Sequence, residues 1–566
     1  MLSSIARRRC LYWIQICITR VKLSLCVQSS PAPPSVPDRQ PANLTCFATE
    51  LREREREMDF WLMVLCALLA AILGGLYLVG AFRKRRANEP PVDKGLIPWL
   101  GHGLNFRNDT LSFLQRMHKK HGDVFTVLIA GHYFTFLIDP LSFGAVVKEG
   151  RAKLDFITFA SELVSNVFAF RPSEKTHKVI ETSSVKHLKG DGLVVMTQAM
   201  MDSLQKVMLH DLGSGESPKP WNQDGLFHFC YNMVFRAGYF ALYGNKPGKS
   251  EKEKESALKQ DLKESEEIFK EFRKYDQLFP RLSYSMLSFG EKKEVESLWS
   301  YFWNILSVKN VYQKDNISGW INDQQQQLAE TGMPEHMRDR FMFLLLWAAQ
   351  GNTGPASFWL LAHLLKNPQA MEEVRKEVTA VVRDSGQELK PGNEVLNVTR
   401  EMLGQTPVLD SAVKEALRMG AAPMLIRAVL EDMQLKMNDG RAYALRKGDK
   451  VAIFPYLTHM DPEIHPEPLV FKHDRFLTTD GNKKEFYKNG EKVKYATMPW
   501  GAGVSICPGR FFAVNEIKLF AFLMVTCFEM ELVNPEDKIP PIDKRRFGFG
   551  VMQPTHDIQF RYRLRY

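Results

Sequence analysis

This sequence predicts a mainly α-helical fold with small β-sheets, carried behind one N-terminal transmembrane helix. Three observations point there. An uncharged apolar run, FWLMVLCALLAAILGGLYLVGAF, fills residues 60–82. Helical spacing of apolar residues covers residues 251–275, 337–365 and 368–382. Strand-like alternation is confined to short pieces such as HYFTFLID at 132–139.

The elements follow in order. Residues 1–57 carry Arg7, Arg8, Arg9, Arg20 and Lys22 with no acidic residue before Asp38, a pattern like a mitochondrial presequence, and then turn proline-rich. Met58 stands where a natural start would, so residues 1–57 are read as an atypical N-terminal extension of gene-model or splice origin. Residues 58–82 form a retained anchor. As a helix the apolar run reaches about 34 Å, enough to cross a hydrocarbon core of about 30 Å and too long for a cleaved signal peptide. Arg83, Lys84, Arg85 and Arg86 follow at once, which places the body in the cytosol by the positive-inside rule. Residues 83–104 are a basic, proline-rich linker: each proline removes a donor and disfavours helix before it. Residues 105–566 form the cytosolic body. Within it, KSEKEKESALKQDLKESEEIFKEFRK reads as an exposed helix with i,i+4 charge pairs.

Composition narrows the function. With 566 residues, 45% hydrophobic and 25% charged, the chain is ordered and large enough for one catalytic domain or two. A net charge of +10 suits an acidic partner or an anionic membrane surface. No nucleic-acid-binding module accompanies it, so no nucleic-acid partner is expected. Cys10, Cys17, Cys26, Cys46 and Cys66 lie at or before the end of the apolar run. Only Cys230, Cys507 and Cys527 lie in the body, without a CxxC pair, which argues against a disulfide framework or a zinc site.

The most informative stretch is MPWGAGVSICPGRFF, residues 498–512. Gly501, Gly503 and Gly509 bracket Cys507, and a buried helix is predicted from Arg510 onward. A sulfur at a helix start faces free N–H groups and the positive end of the dipole, both of which favour thiolate. Small residues also let a large flat ligand approach the backbone. On spacing alone, Cys507 is either a reactive or metal-ligating cysteine or a structural one.

The pattern W-x-x-G-x-x-x-C-x-G, from Trp500 through Gly503 and Cys507 to Gly509, resembles the haem-ligand loop of the cytochrome P450 family. Three further segments resemble that family in the expected order. They are Ala349–Gln350–Gly351–Asn352–Thr353, the E-x-x-R of Glu415 and Arg418, and Asp474–Arg475–Phe476. Together the four span nearly all of the chain beyond Asn88. The resemblance implies the cytochrome P450 fold, a helical triangular prism, for the haem-thiolate catalytic domain at 105–566. It also implies haem b (iron protoporphyrin IX) with Cys507 as the axial ligand of the iron. Electrons would come from NADPH through a flavoprotein reductase, with cytochrome b5 as a second donor and dioxygen as co-substrate.

The other roles are carried over residue by residue. Glu415, Arg418 and Arg475 are expected as a buried charge network behind the cysteine loop; the alternative is an exposed helix pair of little worth. Arg427 matches the position that holds a haem propionate, or is a surface arginine. Thr353 corresponds to the residue that helps deliver protons to bound dioxygen, with Asn352 beside it. Gly351 and Trp347 are expected near the substrate, although Trp347 also reads as a core tryptophan. Departures are visible: Trp500 replaces the usual phenylalanine, Ser505 a propionate-binding arginine or histidine, and Asn352 an acid. No early W-x-x-x-R pattern occurs, leaving Lys186, His187 or Lys189 to substitute.

Within the family, WAAQGNTGPASFW, TPVLDSAVKEALR and the tail FGFGVMQPTHDIQFRYRLR resemble the branch holding sterol 7α- and 12α-hydroxylases and prostacyclin synthase. PPVDKGLIPWLGHGLNF and FRKYDQLFPR resemble the sterol 12α-hydroxylases of that branch, which implies 12α-hydroxylation of 7α-hydroxy-4-cholesten-3-one, a step of bile-acid synthesis at the endoplasmic reticulum membrane. The alternatives are an endoperoxide isomerase, a sterol 7α-hydroxylase, or a membrane-anchored haem protein without turnover.

Overall fold

The computed structural model describes residues 44–78, 80–209, 220–387 and 396–565; the expectations for residues 1–43 lie outside them. The chain divides into two units, Met1–Gly75 and Leu76–Tyr566. The apolar run lies in helix α1 (Leu44–Leu78), which begins upstream of Met58. No residue of its stretch Arg56–Tyr77 is buried, and the stretch is long and apolar enough to cross a membrane, as an anchor requires. The helix stops short of Phe82. Gly80, at φ +78°, turns the chain, and the Ala81 N–H closes on the Leu76 carbonyl at 3.0 Å.

The linker is not free. Arg83 pairs with Asp449 at 2.5 Å, Arg446 grips Glu89, and Val92–Asp93 joins a sheet as strand β1. That sheet also contains β2 (Val124–Ile129), β3 (His132–Leu137), β4 (Leu154–Asp155), β5 (Leu425–Val429) and β6 (Lys450–Ile453), in the order β1-β2-β3-β6-β5-β4. Ala130 and Gly131, both at positive φ, make the two-residue turn that sets Ile129 opposite His132. Strand β5 carries Arg427 into the body. A second sheet joins Asn222–Gly225, Phe528–Leu532 and Gln559–Leu564.

Two small ribbons pair Met433–Lys436 with Ala442–Leu445 and Tyr487–Lys488 with Glu491–Lys492, and most of the remaining regular structure is helix, as predicted. Those that position the site are α2 (Glu174–His187), α3 (Leu226–Tyr243), α4 (Glu251–Ser283), α5 (Glu335–Gln350), α6 (Thr353–Lys366), α7 (Pro407–Gly420) and α8 (Arg510–Cys527). Every residue of α6 from Thr353 to Leu364 is buried, and α6 packs against α3, α7 and α8. The charged run of α4 forms surface pairs such as Lys254–Glu251 and Lys259–Glu255, while Phe269, Phe272 and Phe279 bury its other face. Asp276 fastens α4 to the C-terminal segment. Its carboxylate accepts from Arg273 and Arg546 at 2.7 Å and from Gln553 at 2.6 Å.

The segment predicted as one helix over 337–365 is two, α5 and α6, broken at Gly351 and Asn352. The cause is chemical. Pro355 has no N–H to give the Gly351 carbonyl. Tyr231 Oη supplies a donor instead, at 3.4 Å.

Candidate active site

A cavity of about 440 Å³ opens between the helix break and the cysteine loop, within the size range of small-molecule sites. Its walls bring together Thr353, Asn352, Arg427, Trp500, Gly501, Cys507 and Gly509 from three separate parts of the chain. Most of the remaining lining is apolar, including Phe156, Leu344, Leu345 and Phe512.

Cys507 is half-buried, at the mouth of α8. Its own N–H donates to the Trp500 carbonyl at 2.9 Å, and its carbonyl accepts from Arg510 at 3.0 Å, which folds the loop back on itself. Gly503 sits at φ +67°, where an added Cβ would lie 2.2 Å from the Val147 carbonyl oxygen. Only glycine fits that approach. Burial pushes the Cys507 thiol above its ordinary value. The Gly509 and Arg510 N–H groups and the Arg510 charge pull the other way, as the sequence predicted, but burial outweighs them.

The charge network is buried and stands behind the cysteine loop. Arg418 grips both oxygens of Glu415, Arg475 adds a bond at 2.8 Å, and none of the three lines the cavity. Arg418 then reaches the His459 carbonyl at 2.6 Å, and His459 Nε2 accepts the Met498 N–H at 3.0 Å, just before Trp500. That acceptor role needs neutral imidazole. Burial, with His465 and Arg418 nearby, holds His459 down at about 3.

Arg427 donates to the carbonyls of Val146 at 2.7 Å and Ala502 at 3.3 Å, tying β5 to the cysteine loop at the cavity edge. Thr353 Oγ1 makes only a long bond to the Ala349 carbonyl, 3.3 Å. Asn352 Oδ1 accepts the Val551 N–H at 2.8 Å, so its side chain is engaged with the wall. Facing it, Gly550 at φ +108° has room for no Cβ, which would fall 2.3 Å from that oxygen.

Two predicted substrate residues lie elsewhere. Trp347 stacks on Phe279 at 4.1 Å and is not among the cavity-lining residues; Gly351 turns its carbonyl to Tyr231. Lys186 and His187 both pair with Asp323, each at 3.3 Å, away from the lining. Sequence reasoning missed Val551, Gly550 and Glu516, which do line it. The helical spacing of Glu516 beyond Cys507 was the available signal.

The sequence profile described as Cytochrome P450 matches residues 90–561. The chain belongs to the cytochrome P450 family. Among curated proteins, this P450 is 51% identical over 509 residues to the human "7-alpha-hydroxycholest-4-en-3-one 12-alpha-hydroxylase", covering 90% of this chain and 99% of that one. It is 50% identical over 510 residues to the Sus scrofa "5-beta-cholestane-3-alpha,7-alpha-diol 12-alpha-hydroxylase", covering 90% and 99% respectively. Identity to human "Prostacyclin synthase" is 42% over 488 residues, covering 85% of this chain and 95% of that one. As a cytochrome P450 the protein is a monooxygenase that takes haem, with electrons from NADPH through a flavoprotein reductase and dioxygen as co-substrate. The cavity fits that group: one cysteine sulfur on a glycine-thinned loop, apolar walls, and a buried arginine at the edge.

Proposed function

We propose that this P450 hydroxylates carbon 12, on the α face, of a 7α-hydroxylated 3-oxo-4-ene sterol, 7α-hydroxy-4-cholesten-3-one being the substrate of choice. The observation that carries the reading is 51% identity along 99% of a relative named for that reaction, against 42% to prostacyclin synthase.

Cys507 would hold haem iron through its sulfur, Arg427 at the cavity edge would be available to a propionate, and Trp500, Gly501 and Gly509 would line the wall that takes the group. Haem held on a thiolate activates dioxygen for insertion into a C–H bond. The chain's own residues do the rest. Cys507 would hold the iron as a thiolate, the form that the N–H groups of Gly509 and Arg510 favour. Thr353, its hydroxyl only loosely held by Ala349, is free to pass a proton at Oγ1 toward the cavity. Asn352, held to Val551, shapes the wall rather than relaying protons. Glu415, Arg418 and Arg475 hold the loop that carries the cysteine. Phe156, Leu344 and Leu345 keep water from an apolar substrate.

The setting is the endoplasmic reticulum membrane, single-pass through α1, with the catalytic domain cytosolic. Leu96, Ile97, Trp99 and Leu104, with Met286 and Phe289 after α4, expose apolar surface suited to lipid. A net charge of +10 suits acidic redox partners, the reductase and cytochrome b5.

The test uses membranes carrying the protein and a flavoprotein reductase, incubated with the sterol with and without NADPH. NADPH-dependent gain of one oxygen at carbon 12, located by mass spectrometry and NMR, is the expected result. Rearrangement of a prostaglandin endoperoxide without NADPH, and no sterol product, would overturn the reading.

A further inference from the structure

Gln350 ends α5, and Glu516 lies on α8, the helix that Cys507 precedes. Both side chains are buried, at 0% and 1% exposure, and Glu516 reaches the cavity wall. They lie within reach of each other for a side-chain hydrogen bond. Yet among the described residues Glu516 Oε1 and both amide atoms of Gln350 lack a partner at good geometry. Buried polar atoms are almost always paired, so three unclosed ones in one place call for an account. The third helix there makes room. Gly238 of α3 faces Gln350, and a Cβ on it would sit 2.1 Å from the amide nitrogen.

We propose that Gln350 and Glu516 form an acid–amide positioning pair that locks α8 against α5, and so sets Cys507 in register with Thr353 across the cavity. The donor inventory matches. A carboxylic acid offers one O–H and one carbonyl oxygen, and a primary amide offers the complement. An ionised carboxylate would offer acceptors only. Burial pushes the Glu516 carboxyl well above the usual carboxylate range, opposed only by the nearby Gln350 amide. The catalytic consequence rests on the hydroxylase reading above; the pairing itself does not.

Infrared difference spectra of the haem-loaded full-length protein, wild type against E516Q, test the pairing without turnover. A carboxylic-acid C=O band at neutral pH that shifts in D2O and vanishes in E516Q is expected. Q350A moves that band to higher frequency, because its carbonyl loses a donor, and G238A moves it the same way by displacing Gln350. No such band at neutral pH, or one that Q350A leaves in place, overturns the proposal. The wild-type comparison in H2O and D2O stands even where a variant does not fold.

In turnover, E516A and Q350A are expected to lower sterol product per NADPH about tenfold with the KM for sterol unchanged. E516Q, which still pairs amide with amide, restores most of it. Equal losses in E516Q and E516A overturn the positioning role. Absence of product in the wild type would instead strike the hydroxylase reading and leave the infrared result untouched.

Discussion

Arg418 takes both carboxylate oxygens of Glu415, at 2.7 and 2.8 Å, in a position where neither side chain exposes any surface. The fork-to-fork geometry uses two of the guanidinium's donor directions, and the carbonyls of His459 and Pro468 take others. Through His459 this pair is two hydrogen bonds from Met498 and the loop that presents Cys507.

Removing one member leaves a buried charge without its partner, which costs about 3–5 kcal/mol. E415Q is expected to lower the melting temperature and the yield of haem-loaded protein. R418K should do the same, since lysine is a point charge and not a fork. Unchanged melting and haem content in both variants would refute the assignment.

Cys507 carries the sharpest prediction. C507S keeps the shape of the loop and loses the thiolate. The Soret band of its ferrous–carbon monoxide complex should leave the position diagnostic of thiolate ligation, and sterol product should fall to background. Retention of the wild-type band in C507S would move the ligand elsewhere.

Thr353 separates electron flow from product. T353A is expected to lower hydroxylated sterol about 10- to 100-fold while NADPH oxidation continues, the oxygen then leaving as peroxide or water. Measuring NADPH, peroxide and product in one reaction decides it. A proportionate fall of all three would assign Thr353 a binding role instead.

Asn352 is expected to behave as part of the wall. N352L strands the Val551 N–H, at a cost of about 1–3 kcal/mol, whereas N352D keeps an oxygen acceptor there. Thermal melts should therefore rank wild type and N352D above N352L. If N352L melts like the wild type, the Asn352–Val551 contact is not holding the wall.

Asp276 sets an acid limit. Burial alone would raise its carboxyl, but the charges of Arg546 and Arg273 and the bond from Gln553 outweigh burial and hold it below its ordinary 3.8. A depressed carboxylate contributes stability that is complete above 3.8 and is lost as pH falls through the lower folded value. D276N should be less stable at neutral pH and should lose that part of the acid dependence. Parallel acid-unfolding curves for the two proteins would contradict this.

The four family segments could be read from the chain because each is short and chemically singular. A cysteine among glycines, an E-x-x-R turn and a threonine beside helix-weakening residues keep their meaning without a partner in view. The break between α5 and α6 has a local cause in Pro355, but the donor that replaces the missing N–H, Tyr231, is remote in sequence. Trp347 shows the opposite case. Helical periodicity put it on the side of Thr353, yet its ring stacks on Phe279 of α4, a neighbour that no local pattern names. Val551, in the C-terminal segment, was out of reach for the same reason.

By itself, then, the sequence determined the apolar N-terminal helix, the mainly helical body, the cysteine loop and the chemistry its residues could support, since these follow from local periodicity, charge and motif. The tertiary structure alone decided which side chains come together: that Glu415 is fully buried with both arginines, that Asn352 is spent on Val551, and that Gln350 packs against Gly238 within reach of Glu516. The reason is physical. Such pairings depend on the packing of helices distant in the chain, and burial turns a weak surface contact into one that a folded protein must satisfy.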